Sequence, residues 1–124
     1  MAATARLGAI SLDSADPARS AEFWRQLLDL EVMFEAEAFV ALKGAGVLIT
    51  MQRVEDHVPP TWPSGSVPKQ LHLELAVDDL DAIEARACEL GATRAAEQPN
   101  PTQWRVLLDP DGHPFCITTL IPAS

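Results

Sequence analysis

His72 and Glu74 stand two residues apart in QLHLELAV (70–77), and Cys116 stands in PFCITTL (114–120). Imidazole, carboxylate and thiol are the groups that move protons, attack carbonyls or hold metal ions. In an extended strand alternate side chains share a face, so His72, Glu74 and Ala76 point one way and Leu71, Leu73, Leu75 and Val77 the other. With the leucine face packed, His72 and Glu74 reach an open face. An imidazole there suits proton abstraction beside a carbonyl, though a hydrogen-bonded histidine with no chemical task is an equal reading. Cys116 shares its face with Pro114, Thr118 and Leu120. A nucleophilic thiol needs a histidine or a helix N-terminus beside it, and only the fold could bring His72 there, so buried filler is the simpler reading.

Trp62 lies between prolines in EDHVPPTWPSGSVPK, where no helix or strand is available to pack it, and an aromatic in such a loop suits the cover of a cavity. Trp104 alternates with Val106 and Leu108, as a core residue or a pocket wall would. Trp24 follows Phe23 at helical spacing and reads as core. Arg53 and Arg105 read as partners for an anion or as exposed strand ends. His113, in PDGHP, sits in a turn whose Asp and Gly explain the local structure without it, and His57 carries less information still. No glycine-rich phosphate loop, Ser-His-Asp set or GxSxG elbow is present, which removes several enzyme classes.

These groups must be held by a chain of 124 residues, the size of one domain, with 48% apolar residues and a core to match. No apolar run reaches the length of a membrane span and the N-terminus lacks a signal-like apolar stretch, so a soluble, cytoplasmic protein is expected. Nine basic against 18 acidic residues give a net charge of -9, with no basic cluster, so neither nucleic acid nor a membrane is an expected partner. Cys88 and Cys116 form no CxxC pair, and both are expected as buried thiols rather than a disulfide.

The periodicity says one thing twice. LGAISLDS (7–14) alternates as a strand, and DPARSAEFWRQLLDL follows as a helix capped by Asp16, with Pro17 at its first position and Ala18, Ala21, Trp24 or Arg25, and Leu28 on one stripe. QLHLELAV alternates likewise, and DDLDAIEARACELGA follows with Asp78 or Asp79 as cap and Gly91 as stop. Short strands come next in each half: 31–36, 39–44 and 46–54 in the first, 93–98, 103–109 and 114–120 in the second. An offset of 63 sets Asp16 on Asp79 and Ala9 on His72. We therefore expect an α+β fold: one domain over 1–124 made of two β-α-β-β-β modules, 7–54 and 70–121. The proline-rich linker 55–69 joins them, and the two modules form a cup-shaped mixed sheet around a ligand cavity.

The stretches DPARSAEFWRQLLDLEV, HLELAVDDLDAIEARACELGA and LLDPDGHPFCITTL, in that order, resemble the vicinal oxygen chelate superfamily. It includes glyoxalase I, extradiol dioxygenases and bleomycin-resistance proteins, and the small glyoxalase-like domains are the most similar. The resemblance implies that metal-dependent members place one ligand on the first and one on the last strand of each module. Carried over, His72 matches the second opening position and Ala9 the first. Cys116 stands where a glutamate is usual, and Thr50 or Gln52 stands at the first closing position. That set suits no hard cation, so no cofactor is expected, and a divalent metal, if held, would rest on His72 and Cys116. The resemblance also implies a homodimer that binds a small organic molecule; the residues themselves offer Gln52, Trp62, His72, Glu74, Trp104 and Cys116 as its expected contacts. Metal-free binding or sequestration, as in bleomycin resistance, is the leading expectation. A lyase, isomerase or dioxygenase with His72 as catalytic acid/base or metal ligand is the alternative.

Overall fold

The structure, a computed structural model, describes residues 6–63 and 65–122. The chain divides into two compact units, one ending at His57 and the other beginning at Val58. The first unit runs β1 (Ala9–Ser14), α1 (Pro17–Leu28), β2 (Glu31–Ala36), β3 (Phe39–Lys43) and β4 (Leu48–Arg53). Its sheet has the order β1-β4-β3-β2, with β1 parallel to β4 and the other pairs antiparallel. The second unit repeats the plan with β5 (Leu73–Ala76), α2 (Leu80–Leu90), β6 (Thr93–Arg94), β7 (Trp104–Leu108) and β8 (Pro114–Thr118), in the order β5-β8-β7-β6. Again the opening strand is parallel to the closing one. Among the described residues, 54–72 hold no helix or strand.

Local chemistry explains the helix bounds. The Asp16 carboxylate accepts from the Arg19 N–H at 3.3 Å, Pro17 starts α1, and Asp29 ends it in the left-handed region at φ 54°. Asp79, not Asp78, caps α2 by accepting from the Ala82 N–H at 3.0 Å, and Gly91 closes it at φ 124°. The buried stripe of α1 is Pro17, Ser20, Ala21, Phe23 and Trp24, while Ala18 is exposed and Leu28 only half-buried. The stripe expected through Ala18 and Leu28 is therefore turned, because Phe23 and Trp24, edge to face at 5.0 Å, decide which side goes inward. Below α1 lie the fully buried Val40, Leu42 and Met51 of β3 and β4.

Two further expectations need correcting. Cys88 is exposed, and only Cys116 is buried. The buried side of α2 runs through Leu80 and Ala87, and one residue further on, a hundred degrees round the helix, Cys88 faces out. The strand expected over 93–98 is ordered as a strand only at Thr93–Arg94, because the side chain of Gln98 takes over the ladder. Its amide accepts from the Val106 N–H at 2.9 Å and donates to the carbonyls of Ala95 at 2.9 Å and Val106 at 2.8 Å.

The hairpin between β7 and β8 is built by Asp109, whose carboxylate accepts the N–H groups of Asp111 and His113, each at 2.9 Å, with Gly112 at φ 86°. On the helix side of the second sheet, Leu107, Phe115 and Ile117 are fully buried. Arg105 ties β7 to α2 through Asp81 at 2.7 Å and Glu84 at 3.4 Å, and these carboxylates, Asp81 first, hold its guanidinium even more firmly protonated than usual.

Candidate functional site

The parallel pairing of β5 with β8 sets Glu74 directly opposite Cys116, and the antiparallel pairing of β8 with β7 sets Cys116 opposite Val106. Ala76, Thr118 and Trp104 form the next row on the same face. The strand expected over 70–77 is ordered only at Leu73–Ala76, so His72 stands just before β5, and a donor atom of its side chain still comes near those of Glu74 and Cys116. One donor atom from each of His72, Glu74 and Cys116 lies within 4.8 Å of the other two. His72 and Glu74 are exposed, and Cys116 retains 7% of its surface.

Cys116 also belongs to an apolar floor with Ala95 and Val106, against which the half-buried Trp62 and Trp104 pack. Trp62 reaches it from a loop pinned at its base: the Thr61 N–H donates to the Val67 carbonyl at 2.6 Å and the Val67 N–H to the Thr61 hydroxyl at 3.0 Å. Pro59, just before, lies so close to Gly112 that a β-carbon there would sit 2.6 Å from the proline ring. The structure thus brings together five of the six residues named from the sequence: Trp62, His72, Glu74, Trp104 and Cys116.

The sixth, Gln52, is exposed on β4 of the first unit. There β1 pairs with β4 so that Ser11 opposes Thr50, as Glu74 opposes Cys116. Thr50, not Gln52, is therefore the counterpart of Cys116. The first-unit equivalents of His72, Glu74 and Cys116 are Ala9, Ser11 and Thr50, which offer hydroxyls and no imidazole, carboxylate or thiol. A cavity of about 750 Å³ in that unit is lined by Arg6, Ala9, Met33, Lys43 and Leu48 among others, and among the described residues its lining holds no acid–base pair. Neither arginine considered as an anion partner stands alone, since Arg53 meets Glu37 at 3.2 Å and Arg105 meets Asp81 and Glu84.

Burial, and then the carboxylate of Glu74, push the Cys116 thiol above its ordinary range, with Lys69 pulling weakly the other way. The neutral thiol is the resting form, so an unassisted nucleophile is not what this site presents. As a ligand set, one imidazole, one carboxylate and one thiol do not fit the oxygen-rich shell of a hard cation such as Mn²⁺ or Mg²⁺, and do fit a borderline-soft one. Glu74, named from the sequence only as a ligand contact, completes the trio. Gln98 went unnamed, because nothing in QPNP signals that its side chain will stand in for a strand.

Among solved structures the fold is similar to that of a glyoxalase/bleomycin resistance protein/dioxygenase family enzyme from Burkholderia phytofirmans, with 18% identity over 94% of this chain and 100% of the other, and a TM-score of 0.71. The bleomycin-binding protein of Streptomyces verticillus, solved with copper(II)-bleomycin, is 17% identical over 94% and 98% of the two chains, with a TM-score of 0.60. A fosfomycin resistance protein from Listeria monocytogenes, solved as a mutant with Mn(II) and a dihydroxypropylphosphonic acid, is 15% identical over 95% and 91%, with a TM-score of 0.70. At these identities the likeness concerns the fold. No curated protein matches the sequence. The sequence profile of the glyoxalase-like domain matches residues 9–118, from the first residue of β1 to the last of β8, and the chain belongs to that family, within the glyoxalase/bleomycin resistance/dioxygenase superfamily that the sequence resembles.

Proposed function

We propose that this protein binds a small organic molecule on the open face of the second sheet. Trp62 and Trp104 supply flat apolar surface, Cys116 part of the floor, and His72 and Glu74 polar contacts at the rim. The observation that carries this reading is the convergence of two tryptophans, each still half-exposed, on the Ala95–Val106–Cys116 floor beside an exposed imidazole and carboxylate. A mostly apolar surface with a few placed polar groups is how proteins hold drug-sized ligands. Such binding is sequestration of the bleomycin-resistance kind and needs no metal ion for its affinity.

A screen of aromatic and glycopeptide ligands by tryptophan fluorescence tests it. Trp62→Ala should weaken any ligand found by about tenfold, the worth of one aromatic contact. Unchanged affinity for every ligand found would refute the reading.

The nearness of Glu74 to His72 favours a second reading, in which the carboxylate orients the imidazole as a base for a lyase or isomerase reaction. Loss of solvent-deuterium exchange at a ligand's acidic C–H in His72→Asn would support it. Exchange that persists would exclude it.

A further inference from the structure

The cavity of the first unit is lined by side chains of a different kind from the tryptophan floor of the second. We propose that it binds an organic monoanion with an apolar tail, such as a medium-chain carboxylate. Arg6 and Lys43 hold the anionic head, and Met33 and Leu48 cover the tail. None of these residues takes part in the binding proposed on the second sheet, and the two stand or fall separately.

Strand register builds the site. Ala9 opposes Leu48 across β1 and β4, and Lys43, one residue past the Leu42–Ile49 pair, continues that row on β3. Alternation sets all three on the face opposite Val40, Leu42 and Met51, the side that α1 covers. On β2 the pairing with β3 slips between Val32 and Phe34, so Met33 is the extra residue of a bulge. A bulge re-aims a side chain, and Met33, 53% exposed, lines the cavity, where its flexible thioether suits an irregular apolar shape. The turn between β3 and β4 forms another wall. Gly44 and Gly46 there take φ values of 122° and 90°, which other residues rarely adopt, and a β-carbon built on Gly46 meets nothing within 4 Å. This wall is therefore largely bare backbone, and the cavity, about 750 Å³, has the size of a small-molecule site.

Charge decides the class of ligand. The chain carries nine basic against 18 acidic residues, yet the lining has two basic side chains and, among the described residues, no carboxylate. Arg6 is in no ion pair among the described residues. Lys43 meets Glu31 at 3.6 Å, but both side chains are exposed and such a pair is weak, so a ligand anion shared with Arg6 can displace it. The guanidinium of Arg6 offers a carboxylate its planar fork, and the lysine ammonium adds a mobile point charge. A neutral or cationic ligand would leave both cations unanswered. Inorganic phosphate would answer them but leave Met33 and Leu48 uncovered, so the lining as a whole selects a molecule that is anionic at one end and apolar at the other.

Calorimetric titration of the full-length protein with sodium octanoate tests this, beside 1-octanol, which has the tail without the charge, and acetate, which has the charge without the tail. We expect octanoate to bind one-to-one with a Kd below about 1 mM, and each of the other two at least about tenfold more weakly. Arg6→Gln and Lys43→Gln, both at exposed positions where folding is not at risk, should each weaken octanoate about fivefold. Ala9→Phe, also exposed and in the same row as Leu48, should fill the space and abolish binding, with circular dichroism unchanged. Trp62→Ala should leave octanoate affinity as it is in the parent, which separates this site from the second sheet. Absence of one-to-one binding overturns the inference, as do equal affinities for octanoate and 1-octanol or parental affinity in both charge variants. Loss of octanoate binding in Trp62→Ala but not in Ala9→Phe also overturns it, by assigning the carboxylate to the second sheet.

Discussion

Removing the side chain of Gln98 should destabilise the protein far more than its half-exposed position suggests. Three hydrogen bonds run between its amide and the backbone: one from the Val106 N–H and one each to the carbonyls of Ala95 and Val106. In Gln98→Ala the Val106 carbonyl keeps its bond from the Ala95 N–H at 3.1 Å, but the Val106 N–H loses its partner inside a residue that is 2% exposed. A buried donor left unmade costs about 1–3 kcal/mol, and the lost bond to Ala95 adds up to about 1 kcal/mol. A total near 2–3 kcal/mol corresponds to a fall in Tm of roughly 8–12 °C for a chain of this size. Gln98→Glu sharpens the test. It preserves an acceptor for Val106 but aims a second carboxylate oxygen at two carbonyls. The charged form is then disfavoured in the folded state, and its folded pKa rises. Stability relative to the parent should therefore be lower at neutral pH and recover on acidification, when the carboxyl can donate. Thermal melts followed by circular dichroism measure both variants. A Gln98→Ala melt within about 2 °C of the parent would refute the claim that this side chain replaces a strand.

The cysteines and the hairpin give further expectations. One thiol, Cys88, should react at once with a thiol reagent in the native protein and Cys116 only on unfolding; equal rates would contradict their burial. The folded state, by burial and by Glu74, holds the Cys116 proton above the ordinary value of 9.0, so its contribution to stability is complete below that pH and is lost as pH rises through the folded value. Denaturant unfolding across this alkaline range should show that loss in the parent and a flatter profile in Cys116→Ala. Gly112→Ala places a β-carbon 2.6 Å from Pro59 at a φ of 86°. It should cost about 1–2 kcal/mol from the backbone alone and shift the emission of the neighbouring Trp62, whereas an unchanged melt and spectrum would show that the contact is slack.

Helix ends and strand faces were legible because they depend on residues a few positions apart. Asp16-Pro17 and Asp79 mark where helices begin, and the alternation of HLELAV separates His72 and Glu74 from the leucines. Pairing across strands was not legible. Whether Thr50 or Gln52 answers to Cys116, and whether Glu74 meets Cys116 at all, depends on the register of two parallel strands that are distant in sequence, and parallel register leaves no turn signature between them. Gln98 escaped for a related reason, since a side chain that mimics a strand has the composition of a loop. Cys88 was misjudged through composition, because the burial tendency of cysteine says nothing about which side of α2 it occupies.

The two units share a register and differ in what they place on it. The positions filled by His72, Glu74 and Cys116 in the second are filled by Ala9, Ser11 and Thr50 in the first, so the duplicated framework supplies two equivalent locations and only one of them carries ligating chemistry. Within that one, Cys116 faces two demands. Its neutral thiol suits the floor shared with Ala95 and Val106, and its thiolate is opposed by both burial and Glu74.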